Sequence, residues 1–345
     1  MSSALLNGMD TSLLHPFWTC VLIVKDSPNN SEQEAVMDNL EQALEELGLP
    51  AHDNNQLPSS DLRFPDGGHY RIEISGVERV SALEAMIKEA ERQKVPVHRI
   101  IATVGGATYL TQPELRDFAQ LAREQKIEVV MTPGPRRSWD AGRQMSTPEG
   151  LVSGMRLRGM DAVRYWLKDI ERCMNAGFRG FLITDEGVLW LANQLRQKGV
   201  IPQDVLFKLS VFAGQANPAG ALVAQQLGAN TFNPLADLSL PMLSAIRSSI
   251  QIPMDVYLCL VQSMGGFVRF YEAAEIARIA APCYFKIEPG PSEETLYAPW
   301  NPDSYHKEMM RDRVRNAAVA LELIDRENPE LKCSPTGGAD LAIPT

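Results

Sequence analysis

From His69 onward, short apolar runs of strand length alternate with longer stretches in which apolar residues recur at helical spacing. The strand runs cover residues 70–75, 99–104, 127–132, 180–184, 206–212 and 231–233. A seventh opens at Asp255, after Pro253, and is ended by Gly265-Gly266; an eighth covers 283–287 and stops at Pro289-Gly290. The helical stretches cover 80–93, 113–125, 161–176, 188–198, 218–227, 240–249, about 267–280, and 308–327. A strand, a crossover helix and a second strand make a βαβ unit, whose strands are parallel. Eight such units over 70–327 predict an α/β protein with a (β/α)8 TIM-type barrel. An open doubly wound sheet is the main rival. It is disfavoured because the units number eight and no strand is followed by GxGxxG; Gly105-Gly106 lacks the third glycine. Residues 1–69 read as an N-terminal βα appendage and linker. They comprise a β-rich run at 17–24, an amphipathic helix at 31–47 ended by Gly48 and Pro50, and a polar stretch at 51–68. The appendage is a candidate cap for the barrel, or a candidate contact between copies in a homo-oligomer. The tail, 328–345, is rich in Pro, Gly and Ser and is expected to cross the surface.

Buried strands of α/β proteins are normally apolar on both faces, so charges inside them need a reason. Side chains alternate across a strand. Lys208 and Ser210 therefore share one face, as do Tyr284, Lys286 and Glu288, and as do Asp255, Tyr257 and Cys259. Apolar Phe207, Leu209, Phe285 and Ile287 suit the helical layer, which leaves both lysines for the barrel interior. A buried lysine has its pKa lowered by desolvation and by a neighbouring cation, and can act as a base or form a Schiff base. The competing assignment is an ion pair with a buried carboxylate such as Glu73 or Asp255.

Barrel active sites sit at the C-terminal ends of the strands. That rule collects Glu73, Ser75, Thr103, Thr132, Asp185, Glu186, Lys208, Ser210, Gln215, Asn217, Asn233, Tyr257, Cys259, Gln262, Lys286 and Glu288. No histidine is among them: His69 and His98 precede their strands and fall at the opposite rim. Acid–base work would then fall to carboxylates, lysines, Tyr257 or Cys259, with Lys286, Lys208, Glu288 and Glu73 as the candidate catalytic groups. Cys259, without a nearby base, reads as a buried thiol.

Two features suggest a small anionic substrate. Arg136 and Arg137 follow Pro-Gly-Pro after a strand, and guanidinium forks bind carboxylate or phosphate. Gly265 and Gly266 form a glycine turn before a helix, where backbone N–H groups can cradle an anion. Ser210, Asn217, Asn233 and Tyr257 complete the candidate binding groups. A divalent ion is a candidate cofactor, with Asp185, Glu186 and Glu288 as oxygen ligands. Asp185 has a simpler reading as an N-cap, since Thr-Asp-Glu-Gly directly precedes a helical run.

The formal net charge of −10 argues against broad nucleic-acid binding, which needs a basic face. The five scattered cysteines contain no CxxC and read as reduced thiols. With no basic, apolar leader at Met1 and no apolar run of membrane length, the expectation is a cytoplasmic protein without a membrane partner.

The texts Phe-Lys-Leu-Ser-Val-Phe-Ala-Gly-Gln-Ala-Asn (207–217), Gln-Gln-Leu-Gly-Ala-Asn-Thr-Phe-Asn-Pro (225–234) and Ile-Pro-Met-Asp-Val-Tyr (252–257) follow one order. A strand, an Asn-containing turn, a helix ending Leu-Gly, a strand, a helix and a strand after Ile-Pro succeed one another. This order resembles the collagenase-like peptidases of unassigned catalytic type, and the resemblance implies a TIM-type barrel. The family's Cys-rich signature with a His-Gly pair is absent, so its peptidase chemistry does not carry over. The expected function is an aldolase-like lyase or an isomerase acting on a small carboxylated or phosphorylated carbonyl compound. A hydrolase similar to those peptidases, and a non-catalytic ligand-binding barrel, are the alternatives.

Overall fold

The computed structural model describes residues 39–134, 156–298 and 300–345. Two compact units divide the chain, 1–47 and 48–345. Within the first, residues 39–46 are helical; residues 1–38, with the β-rich run expected at 17–24 and the start of the helix expected at 31–47, lie outside the described residues.

The second unit is a closed barrel of eight parallel strands in sequence order, with β1 paired to β8. The strands are β1 Tyr70–Val77, β2 Val97–Ala102, β3 Glu128–Met131, β4 Gly180–Ile183, β5 Leu206–Leu209, β6 Thr231–Phe232, β7 Met254–Cys259 and β8 Cys283–Ile287. The helices are α1 Val80–Gln93, α2 Gln112–Glu124, α3 Gly159–Met174, α4 Glu186–Gln197, α5 Pro218–Gln226, α6 Leu240–Ser249, α7 Ala273–Ala280, α8 Glu293–Leu296 and α9 Asp303–Glu327. Local chemistry sets their starts. Thr111 and Glu114 form a reciprocal capping box at α2. Asp185 caps α4 through Gly187 N and Val188 N, and Asn217 caps α5 through Gly220 N. Among the described residues no helix is long and apolar enough to cross a membrane.

Several elements differ from the sequence expectation. Strand β5 stops at Leu209, because the Ser210 hydroxyl accepts from Phe212 N and turns the chain into a 3-10 turn. Helix α7 starts at Ala273 rather than near 267, because Val268 bridges back to Cys259 in an antiparallel pair. The stretch 51–68 is not a free linker: Ser60 and Phe64 are buried, and Ser60 Oγ donates to Ala281 O at 2.5 Å.

The tail is fastened at the N-terminal end of the strands. Cys333 pairs with Tyr70, and Leu341 packs with Phe64 and Tyr284 at the N-terminal end of the strands. The Arg71 guanidinium stands 3.9 Å over the Phe64 ring and is ion-paired to Asp66 (2.7 Å) and Asp340 (2.8 Å). Linker and tail thus supply the counter-charges for an arginine that strand β1 buries completely. They form a floor under the barrel.

His98 is part of this floor. Its Nδ1 accepts from Ile72 N at 3.0 Å, so Nε2 carries the proton and donates to Ser334 O at 2.8 Å. Burial, outweighing the hydrogen bonds to Ser334 and Ile72, pushes its pKa down to about 4.

Two outcomes are expected. Asp340→Ala should lower unfolding free energy by about 1–3 kcal/mol in urea, since a buried guanidinium loses an acceptor. The second concerns pH. The unfolded imidazole takes its proton near the ordinary value and the folded one only near pH 4, so the unfolded state binds more protons between them. The contribution of His98 is therefore complete above the ordinary histidine value and is lost as pH falls toward 4. Urea midpoints measured across that window should fall less steeply in His98→Gln than in the parent.

Candidate active site at the C-terminal end of the barrel

Strand register puts one set of side chains on the axis. Glu73 pairs with Arg99 and with Lys286, Lys286 with Tyr257, and Asp255 with Tyr284. The parity expectation is met for Lys208, Tyr284 and Lys286, which are buried and make contacts to other strands, and Glu288 is buried beside Lys286 at the end of the same strand. It fails for Cys259. A register shift after Tyr257 pairs Cys259 with Ile287, the helix-facing parity of β8. Burial pushes its thiol up to about 12, so it stays protonated.

The axial groups are layered by depth. Lowest, Tyr284 donates to Glu128 at 3.2 Å and lies 3.3 Å beneath the Arg99 guanidinium. Burial pushes Glu128 up to about 7, with Arg99 pulling the other way. The middle layer is a closed ionic network. Arg99 binds Glu73 at 2.5 Å and also Asp255. Lys208 binds Glu73 at 2.9 Å and Asp255 at 2.7 Å. All four side chains are inaccessible to solvent. Burial opposes ionisation of Glu73, yet Arg99, Lys208 and Lys286 outweigh it and hold its carboxyl down at about 2. Burial, and then Arg99, bring the Lys208 ammonium down to about 8 against the pull of Asp255 and Glu73.

Lys286 stands in a different setting, one layer nearer the C-terminal end. Its ion pairs with Glu73 and Glu288 are both long, 3.6 Å, and its hydrogen bond goes to the Tyr257 hydroxyl at 2.9 Å. Burial pushes the Tyr257 phenol well above its ordinary value, so it stays protonated. Burial likewise opposes ionisation of Glu288, but Lys286, Arg313 and a hydrogen bond from Tyr297 lower it below the ordinary carboxylate value. Arg313 reaches in from α9, donating to Tyr297 at 2.9 Å and to the carbonyl of Ser75. Two buried hydroxyls at strand ends, Ser75 Oγ and Thr132 Oγ1, have no hydrogen-bond partner. An unpaired buried hydroxyl is a group that a polar ligand would satisfy.

Other expected site residues are spent on structure. The amides of Gly265 and Gly266 donate to Gln262 O (3.1 Å) and Val261 O (3.0 Å), and the preceding Gln262 and Ser263 amides to Gly290 O and Pro291 O. The anion cradle expected there is corrected, because the turn satisfies its own N–H groups. Asp185 and Asn217 cap helices, and Ser210 closes its turn. Asn233 donates to Asp255 O at 2.8 Å. Glu186 accepts from Gln215 at 2.6 Å and pairs with Arg156, away from Glu288's partners. Among the described residues no group of three His, Cys, Asp or Glu side chains is arranged to hold a metal. Arg136 and Arg137 lie outside the described residues.

Arg99, Glu128, Tyr297 and Arg313 escaped the sequence reading. Arg99 carried a signal, since it shares parity with Ile101 and Thr103 inside a strand. Arg313 carried one too: it stands at helical spacing with buried Met310, Val314 and Ala317.

No family model and no curated protein matches this sequence. Solved structures resemble it at low identity. The YdjI aldolase from Escherichia coli K12 is 14% identical, with 76% of this chain and 94% of that one covered and a TM-score of 0.45. A U32 peptidase is 15% identical over 67% and 97%, with a TM-score of 0.38. D-psicose 3-epimerase from Clostridium cellulolyticum H10 is 13% identical over 73% and 98%, with a TM-score of 0.41.

Lys208→Met should be severely destabilising, by about 3–5 kcal/mol, because it removes a buried cation shared by two buried carboxylates. The added change Asp255→Asn should recover part of that loss. Lys286→Met should cost less than Lys208→Met, its ion pairs being longer. Urea unfolding of the three variants measures both orderings.

Proposed function

We propose that the protein is an enzyme in which Lys286 reacts with the carbonyl group of a small anionic compound, in an aldolase-like cleavage or an isomerisation. The observation that carries this reading is the difference between the two interior lysines. Lys208 is clamped by two carboxylates at 2.9 and 2.7 Å in a fully buried network. Lys286 lies at the mouth with loose ion pairs and a phenol as its hydrogen-bond partner. An amine held by geometry rather than by a tight carboxylate is free to exchange that contact for a substrate.

The chemistry follows from the groups present. Once deprotonated, the Lys286 amine adds to the carbonyl carbon, and the carbonyl oxygen leaves as water. The resulting iminium withdraws electrons from the adjacent carbon, which permits carbon–carbon cleavage or loss of a proton there. Glu288, ionised, 3.6 Å from Lys286 and outside the Arg99–Lys208 network, is the carboxylate available as a base. Tyr257 keeps its proton and can donate it toward the carbonyl oxygen. Glu73, itself fixed by Lys208, draws Lys286 from beneath. Arg136 and Arg137 remain candidates for the anionic group of the substrate.

A ligand-binding barrel without turnover is the second reading. It is favoured by the closure of the mouth, where Lys286 is only 5% exposed and Glu288 2%.

Borohydride added with a panel of 2-keto acids and sugar phosphates separates the two. The expected result is a reduced adduct located by mass spectrometry at Lys286, absent in Lys286→Met, with turnover lost and the circular dichroism spectrum retained. Saturable binding with no adduct and no turnover would favour the second reading.

A further inference from the structure

Among the axial carboxylates, Glu128 has no part in the proposed reaction and no cation of its own. It is completely buried at the start of β3. Its Oε2 accepts from the Tyr284 hydroxyl at 3.2 Å, while Oε1 has no hydrogen-bond partner. A guanidinium nitrogen of Arg99 stands 4.0 Å from Oε1, at the limit of an ion pair.

The charged and titratable groups that act on Glu128 are Arg99 from β2, Glu73 and Arg71 from β1, and Tyr284 from β8. Both arginines are committed elsewhere. Arg99 binds Glu73 at 2.5 Å and also Asp255. Arg71 is paired with Asp66 at 2.7 Å and Asp340 at 2.8 Å. It meets Glu128 only through the Tyr284 hydroxyl, to which it donates at 3.1 Å. Glu73 is a second anion, and Lys208 is already shared between Glu73 and Asp255. An ionised Glu128 would therefore be a further buried carboxylate drawing on an arginine that serves two closer ones. A buried acid without a partner cation takes up a proton instead. The upward displacement of its titration, caused by burial against the pull of Arg99, agrees with this count.

We propose that Glu128 is a proton-operated switch at the base of the barrel. Protonated, it leaves Arg99 to Glu73 and Asp255; ionised, it sets another carboxylate against the same guanidinium and loosens the strands that carry them. The direction follows from linkage. The unfolded carboxyl takes its proton near the ordinary glutamate value and the folded one near pH 7, so the folded state binds more protons between them. The stability that the protonated carboxyl contributes is complete below the ordinary glutamate value and is lost as pH rises through 7, the opposite sense to His98. The switch does not rest on the reading of Lys286.

The full chain is unfolded in urea from about pH 5 to about pH 9 beside Glu128→Gln, a neutral isostere of the protonated acid. Contributions common to both chains, that of His98 among them, cancel in the comparison. The unfolding constant of the parent, taken relative to that of Glu128→Gln, should rise roughly tenfold to a hundredfold over this range. Infrared difference spectra of the folded chains give the second readout. The parent should lose a protonated-carboxyl stretch with a midpoint near pH 7, and Glu128→Gln should lack that change. Tyr284→Phe removes the hydrogen bond that favours the ionised form, so it should keep the band and carry its loss to higher pH. That shift assigns the band without relying on Glu128→Gln. The band should persist in Lys286→Met, which separates the switch from the chemistry of the mouth. The proposal is overturned if the urea midpoints of the parent and Glu128→Gln run parallel across the range. It is overturned equally if the parent shows no such band, or if Glu128→Gln shows the same loss.

Discussion

Glu73 is the constraint on which the barrel depends. A carboxylate with no access to water must be compensated by nearby cations, and here three converge: Arg99 from β2, Lys208 from β5 and Lys286 from β8. Each of those cations in turn needs a second anion, which Asp255 and Glu288 provide. A barrel interior filled this way gains little net stability from its ion pairs, because desolvation offsets much of the attraction. What it gains is definition. Few arrangements of strands let every one of these charges meet an opposite one.

The same compensation sets the gradient toward the mouth. Tight pairs in the middle layer give Lys208 two close carboxylates, whereas Lys286, one layer nearer the C-terminal end, receives only distant carboxylate oxygens and a phenol. Buried structural charge and a reactive amine can thus be built from the same residue type within one cavity. The difference lies in how many carboxylate oxygens reach each ammonium.

Alternating strand and helix periods made the barrel legible in the sequence, down to helix α1 at 80–93 and strand β8 at 283–287. Parity alone brought Lys208, Lys286 and Glu288 to the axis. What parity could not show was reach. Nothing local says that Arg99 spans to Asp255, that Asp340 returns to Arg71, or that Arg313 enters from the last helix; these contacts join residues more than a hundred positions apart. Small local effects were hidden as well. The register shift that turns Cys259 outward, and the hydrogen bonds that consume the Gly265-Gly266 amides, follow from backbone geometry that composition does not encode.

The layout of these charges also bears on how the barrel comes apart. Split after β4, the axial side chains divide into two sets of matched charge: Arg71, Glu73, Arg99 and Glu128, then Lys208, Asp255, Lys286 and Glu288. Each half balances on paper, yet Glu73 shares its oxygens with cations of both, and Arg99 reaches across to Asp255. Separated halves would retain their net neutrality and lose the bonds that span the seam, leaving ionised groups facing an open edge. Half-barrels are therefore poor resting states for this chain, and the ionic axis ties unfolding of the eight strands into one cooperative event.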